Sequence, residues 1–257
     1  MAIAFAREEF IQRSKNGNAC HSSAYISHGR VVFEETKFQK RTIYNFSSRG
    51  QVFFEGILLP KGVDEKFRNP NILWNAAEQA ENRKNSIVAS HRVIALPDDV
   101  EVTDLDRQRL AIAYAEKHFT ERGLAVQFAI HKELDEDGNS FNIHAHYLGT
   151  NRYFNAAGDG LGEKARDLMP TVAKGFVVDK DNHGKEWGEQ LNLYFEEHGI
   201  PIRVDPVGLI AEKHMGAVRM RAKGNIGIVQ ENDLRKELNR IEANDPSSVL
   251  AKIIENR

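Results

Sequence analysis

Three histidines and one turn constrain this chain more than any other feature. His131 closes an apolar run at residues 124–131, and His144 and His146 sit in a second run at 141–149. Between the runs lie Asp135, Glu136, Asp137, Gly138 and Asn139. Apolar, β-branched and aromatic residues flanking an Asp-Gly pair predict a β-hairpin. Side chains alternate faces along a strand, so His144 and His146 point the same way. With Asp137 and Gly138 as a two-residue turn, His131 faces His144 directly and His146 diagonally. Three imidazoles on one sheet face form a candidate metal site, with coordination positions left open for substrate and water. A lone strand histidine is more often structural, and the chain carries 10. A third imidazole brought opposite by turn chemistry favours the metal reading.

Composition sets the outer bounds. With 257 residues, 41% of them hydrophobic, the chain can build one sizeable core, or one core and a small appendage. A net charge of −2 gives no global footprint for nucleic acid, so any DNA-binding surface must be local. The single cysteine, Cys20, rules out an internal disulfide and fits a reducing cytosol. No apolar run approaches the roughly 18 residues of a membrane span. The N-terminus gains charge too early for a signal peptide. The expected setting is cytoplasmic, without membrane insertion.

Residues 2–10 read as a first strand, and Asn16-Gly17-Asn18 as a turn. Residues 19–28 read as a short helix with Tyr25 near its end, and 29–49 as irregular and basic. A strand spans 51–60. Helical spacing of Trp74, Ala77, Glu78, Glu81, Asn85 and Val88 predicts a long helix over 71–91. A short buried strand at 92–96 stops at Pro97. Thr103 is a good N-cap, with Asp104 and Asp106 in the first turn of a helix running to Arg122 and ended by Gly123. After the hairpin at 124–150, residues 151–183 read as loop-rich and 184–198 as a helix ended by Gly199. Residues 203–224 are basic, and 231–257 read as amphipathic helix interrupted at Asn244-Asp245-Pro246. The expected fold is α+β: a mostly antiparallel sheet with the site on one face and helices packed on the other.

An ordered set of short motifs adds to this reading. It starts with the opening Met1 to Arg7, Arg13-Ser14, Gly17 and Ala24-Tyr25. It continues with residues 57–60, Leu73-Trp74-Asn75, Glu78, Glu81, Arg83-Lys84-Asn85 and residues 94–97. Then come His131, Asn142-Ile143-His144-Ala145-His146, Asn151-Arg152, Trp187, Asn192, Gly199, Arg203-Val204-Asp205 and Lys213-His214-Met215-Gly216. In this combination the chain resembles conjugative relaxases of the MobA/MobL (MobQ) class, TraA-type HUH endonucleases, over about residues 1–220. The resemblance implies that Tyr25 attacks a scissile phosphodiester of transfer-origin DNA and becomes a 5′-phosphotyrosyl ester. It implies that His131, His144 and His146 hold a divalent cation, Mn2+ or Mg2+, that stabilises the transition-state charge. A tyrosine before the His-x-His pair is the relaxase order; rolling-circle initiators resemble a permuted version. Implied partners are single-stranded transfer-origin DNA, with type IV secretion or coupling machinery and accessory DNA-binding proteins beyond it.

Glu78 and Glu81 lie one helical turn apart with Trp74. They read either as a solvated face paired with Arg83 and Lys84, or as one carboxylate accepting the free N–H of a metal histidine, with Glu81 preferred. Arg13, Arg83, Lys84, Arg152 and His214 are candidate DNA contacts. Phe38, Tyr44, Phe46, Tyr153 and Phe154 are candidate stacking surfaces. His21, His28, His91, His118, His183 and His198 read as structural or exposed. Ser90-His91 departs from the Arg-Glu pair common in relatives, and the segments flanking Tyr25 depart as well. No phosphate-loop motif is present, which points to a relaxase module without an ATPase. The expected organisation is a nicking domain over 1–225 and a helical extension over 226–257. Two other readings share these residues: a metal-dependent nuclease with a water nucleophile, and a non-catalytic single-strand DNA-binding module.

Overall fold

The architecture includes an interior strand where the helical periodicity predicts a helix. The computed structural model describes residues 4–134, 140–168, 172–173, 176–177 and 183–204. Five strands form one antiparallel sheet in the order β1-β5-β7-β6-β4. These are β1 (Ala6–Gln12), β4 (Phe54–Leu58), β5 (Ile87–Ala95), β6 (Val126–Leu134) and β7 (Ser140–Thr150). Two short hairpins flank it: β2 (Arg30–Phe33) with β3 (Thr42–Asn45), and β8 (Arg152–Phe154) with β9 (Leu161–Lys164).

Four helices pack on the sheet: α1 (Ala19–Ile26), α2 (Pro70–Gln79), α3 (Asp104–His118) and α4 (His183–Glu197). Along β6, Val126, Phe128 and Ile130 face one side, where they join Leu110 and Tyr114 of α3 and Trp187, Leu191 and Phe195 of α4. Ala89, Ala129 and Leu148 face the other, with Ala24 of α1 and Leu73, Trp74 and Ala77 of α2. Helices therefore cover both faces, not one as expected, and the histidines occupy the end of the face that α1 partly covers.

The long helix expected over 71–91 is a correction. Asn69 caps α2 and Pro70 occupies its first turn, but the helix ends at Gln79. Residues 87–95 are instead one strand, paired with β1 on one side and β7 on the other. A strand hydrogen-bonded on both edges and buried on both faces shows no clean period of two, so Val88 fell by chance on a helical face. Residues 29–49, read as irregular, contain the β2–β3 hairpin, and β8–β9 lies in the stretch read as loop-rich. The Thr103 cap stands as a full capping box with Asp106. Phe119 breaks α3 early, before a short 3-10 turn and Gly123 at φ 81°. The expected boundary at 225, the extension over 226–257, its Asn244-Asp245-Pro246 interruption and His214 lie outside the described residues.

A buried polar clamp holds α1 in place. One Glu78 carboxylate oxygen accepts from the Ala19 backbone N–H at 2.7 Å, at the helix N-terminus, where a negative charge complements the helix dipole. The other accepts from Arg13 at 2.9 Å, and both side chains are almost fully buried. On the underside, Gln127 Oε1 accepts from Ser23 of α1 at 2.7 Å and from Trp74 Nε1 of α2 at 2.6 Å. Removing one partner of a buried ion pair costs roughly 3–5 kcal/mol because it strands the other charge. Glu78→Ala is therefore expected to lose about that much stability in urea denaturation; a loss below about 1 kcal/mol, the scale of an exposed pair, would show that the clamp is solvated.

Candidate active site

His131 pairs with His144 and Ala129 with His146, as expected, while Glu133 with Phe141 and Leu134 with Ser140 are shifted by one residue and the expected Asp137-Gly138 turn lies outside the described residues. The three imidazoles share a face, and one ring nitrogen of each lies within 4.8 Å of the others. A bulge follows, where β7 carries one extra residue between His131 and Glu133 of its partner. Asn142 takes the left-handed conformation there, at φ 48°, which asparagine tolerates better than most residues.

Hydrogen bonds assign the ring nitrogens. A carbonyl oxygen only accepts, so His131 Nε2 donates to Ile26 O at 2.7 Å and His144 Nδ1 donates to Asn142 O at 2.6 Å. His131 Nδ1 and His144 Nε2 therefore carry lone pairs. His146 Nδ1 lies 2.9 Å from His91 Nε2, and donation to His91 leaves Nε2 of His146 as its lone pair. Burial, reinforced by neighbouring positive charge, lowers His131 to about 4 and His146 to about 2. Neutral imidazoles with one bare nitrogen each are the donor set a divalent cation requires. The residues present could hold such an ion.

Tyr25 reaches the same place from the last turn of α1. Its ring meets His146 edge-on at a centroid separation of 6.3 Å and Phe46 at 5.7 Å. The helix ends in a Schellman-type turn: Gly29 N–H bonds Ala24 O at 3.0 Å, His28 N–H bonds Tyr25 O at 3.4 Å, and His28 sits at φ 48°. The turn swings the His28 ring to 4.7 Å from that of His131. The Ile26 carbonyl that His131 engages belongs to the residue after Tyr25, so α1 is tied directly to the trio.

The two glutamates read as candidate partners of a metal histidine have other work, which corrects that reading. Glu78 anchors α1 and Arg13, and Glu81 binds Arg152 Nε at 2.9 Å and Lys164 Nζ at 3.2 Å. The residue bonded to His146 is His91, half-buried on β5, where desolvation lowers it to about 4. Sequence reasoning set His91 aside because residues 71–91 read as helix. Strand alternation along an extended β5 puts it on the face of His146. Of the candidate DNA contacts, Arg13 is buried and committed to Glu78 and three backbone carbonyls. Arg83 and Arg152 line one groove with Lys164 and Arg166 near the start of β5. Lys84 is exposed in the same turn as Arg83. Six strand residues, about 20 Å, separate Ile87 from Val93 opposite His146, so this basic end is not brought to the trio.

Similar proteins agree with this architecture. The probable mobilization protein MobA of Bifidobacterium longum is 31% identical over 152 residues, covering 59% of this chain and 25% of that protein. The mobilization protein MobL of Acidithiobacillus ferridurans is 26% identical over 227 residues, covering 80% of this chain and 57% of that one. The chain thus spans between a quarter and just over half of these relatives' lengths. A structure from work on the molecular basis of vancomycin resistance transfer in Staphylococcus aureus superposes with a TM-score of 0.62 at 26% identity, over 80% of this chain and 98% of that one. The conjugative relaxase TrwC, in its metal-bound complex with oriT DNA, shares the fold at a TM-score of 0.50 and 11% identity, over 90% of this chain and 84% of that one. No helix among the described residues is long and apolar enough to cross a membrane. The MobA/MobL family model matches residues 18–217, most of the sequence, and the chain belongs to the MobA/MobL family.

Proposed function

We propose that this chain nicks one strand of transfer-origin DNA by transesterification, with Tyr25 as nucleophile. The observation that carries the reading is the meeting of Tyr25 with the trio: a phenol ring packs on His146, one of three imidazoles that each bring one ring nitrogen within 4.8 Å of the others. In the step, Tyr25 Oη forms a bond to the scissile phosphorus and the bond from phosphorus to the 3′ oxygen breaks. The phenolic proton is lost to solvent, and the departing 3′ oxygen takes one up. One phosphodiester replaces another, so the reverse reaction rejoins the strand without ATP. A divalent cation, Mn2+ or Mg2+, held by His131, His144 and His146 would bind non-bridging phosphate oxygens and offset their charge. With His146 Nδ1 donating to His91, Nε2 of His146 would be the nitrogen left to hold the ion. The Ile26 carbonyl does the same for His131 while fixing the end of the helix that carries Tyr25. Partners on this reading are single-stranded transfer-origin DNA and then the secretion and coupling machinery, in the cytoplasm.

Incubation with single-stranded oligonucleotides tiling the transfer origin tests this directly. Wild-type protein is expected to give a denaturation-resistant protein–DNA adduct that EDTA abolishes and Tyr25→Phe does not form. Nicking that survives in Tyr25→Phe would instead identify a nuclease with a water nucleophile. DNA binding without any nicking would identify a non-catalytic module.

The tautomer argument has its own test. His91→Ala is expected to weaken Mn2+ binding about 10- to 100-fold by calorimetry, and His91→Gln to recover part of the loss. Equal affinity in all three proteins would remove His91 from the site.

A further inference from the structure

Arg49 occupies a built position beside Tyr25. Its guanidinium carbon lies 4.8 Å from the centre of the Tyr25 ring and 5.4 Å from that of Phe46. The turn that carries it is pinned on three sides. Phe46 N–H bonds Gly29 O at 2.9 Å, just past α1, and Asn45 Oδ1 accepts from the Ser47 backbone and hydroxyl at 3.1 and 2.8 Å. Gly50 closes the turn at φ 84°, and its carbonyl oxygen lies 3.2 Å from His28 Nδ1.

The electrostatics of Arg49 differ from those of the other arginines near the sheet. Arg13, Arg92 and Arg152 each meet a buried carboxylate, on Glu78, Glu8 and Glu81. Arg49 is exposed and meets two aromatic rings, with no carboxylate or carbonyl partner among the described residues. Stacking on rings fixes the plane of a guanidinium without cancelling its charge. A fixed, uncompensated fork of N–H donors next to a nucleophile is complementary to a phosphate oxygen.

We propose that Arg49 is a catalytic residue that binds a non-bridging oxygen of the scissile phosphate while Tyr25 attacks it. The proposal rests on the relaxase reading and names a residue of that same site. Arg49 gives up no proton: the Oη–phosphorus bond forms, the bond to the 3′ oxygen breaks, and the guanidinium stabilises the negative charge that the five-coordinate phosphorus spreads over its equatorial oxygens.

The test measures single-turnover adduct formation and equilibrium binding separately, using single-stranded oligonucleotides tiling the transfer origin. Arg49→Gln is expected to slow adduct formation at saturating DNA by about 10²-fold, the scale of one lost transition-state donor. Its DNA affinity is expected to fall less than about tenfold, because one phosphate contact among several is lost. Arg49→Lys should restore part of the rate. A methylphosphonate at the scissile position removes a charged oxygen, and there wild type and Arg49→Gln should differ far less. An unchanged rate in Arg49→Gln overturns the proposal, as does a loss confined to affinity or an equal loss on the methylphosphonate. If wild type forms no adduct on any oligonucleotide, the relaxase reading falls and this proposal falls with it; adduct formation by wild type at an unchanged Arg49→Gln rate overturns the proposal alone.

Discussion

A buried carboxylate decides where Tyr25 stands. Glu78 bonds the first backbone N–H of α1 and the guanidinium of Arg13 in a space closed to water. Its carrier helix, α2, also sends Trp74 to the Gln127 oxygen that Ser23 shares from above. Small residues in the sheet floor, Ala89 and Ala129, let α1 approach closely. A helix held at its start by charge and underneath by hydrogen bonds has little freedom at its last turn. Tyr25 sits in that turn, and Ile26 beside it is bonded to His131. The polar clamp and the metal-competent trio are thus two ends of one short helix.

The site itself is an arrangement of protons more than of charges. Carbonyls of Ile26 and Asn142 decide which nitrogens of His131 and His144 are bare, and His91 decides it for His146. A carboxylate and a neutral imidazole both accept an N–H, but they differ in charge: an imidazole leaves the trio less negative and so a weaker attractor for a cation. Glu9 pairs across from His91 on β1, and its charge opposes the lowering of that ring by burial.

What could be read from the sequence was local. The hairpin and the pairing of His131 with His144 were legible from apolar alternation around a turn signal, and the bulge between His131 and Glu133 was not. Thr103 marked the start of α3 through its own capping chemistry. What could not be read was set by distant partners. Residues 87–95 are a strand because β1 and β7 flank them, not because of their own pattern. Glu78 and Glu81 share a helix face in sequence, yet one turns to α1 and the other to β8 and β9. The β2–β3 hairpin escaped notice because its two four-residue strands lack a tight turn, and Arg49 escaped with it.

The claim at the centre is spatial: an imidazole-held cation and the Tyr25 oxygen face the same phosphorus atom. Anomalous diffraction from Mn2+-soaked crystals of the Tyr25→Phe protein bound to uncleaved single-stranded DNA measures it directly. The account predicts a metal peak among His131, His144 and His146, with a phosphate between that peak and the edge of residue 25. A peak elsewhere, or a phosphate on the side of the trio away from α1, would contradict it.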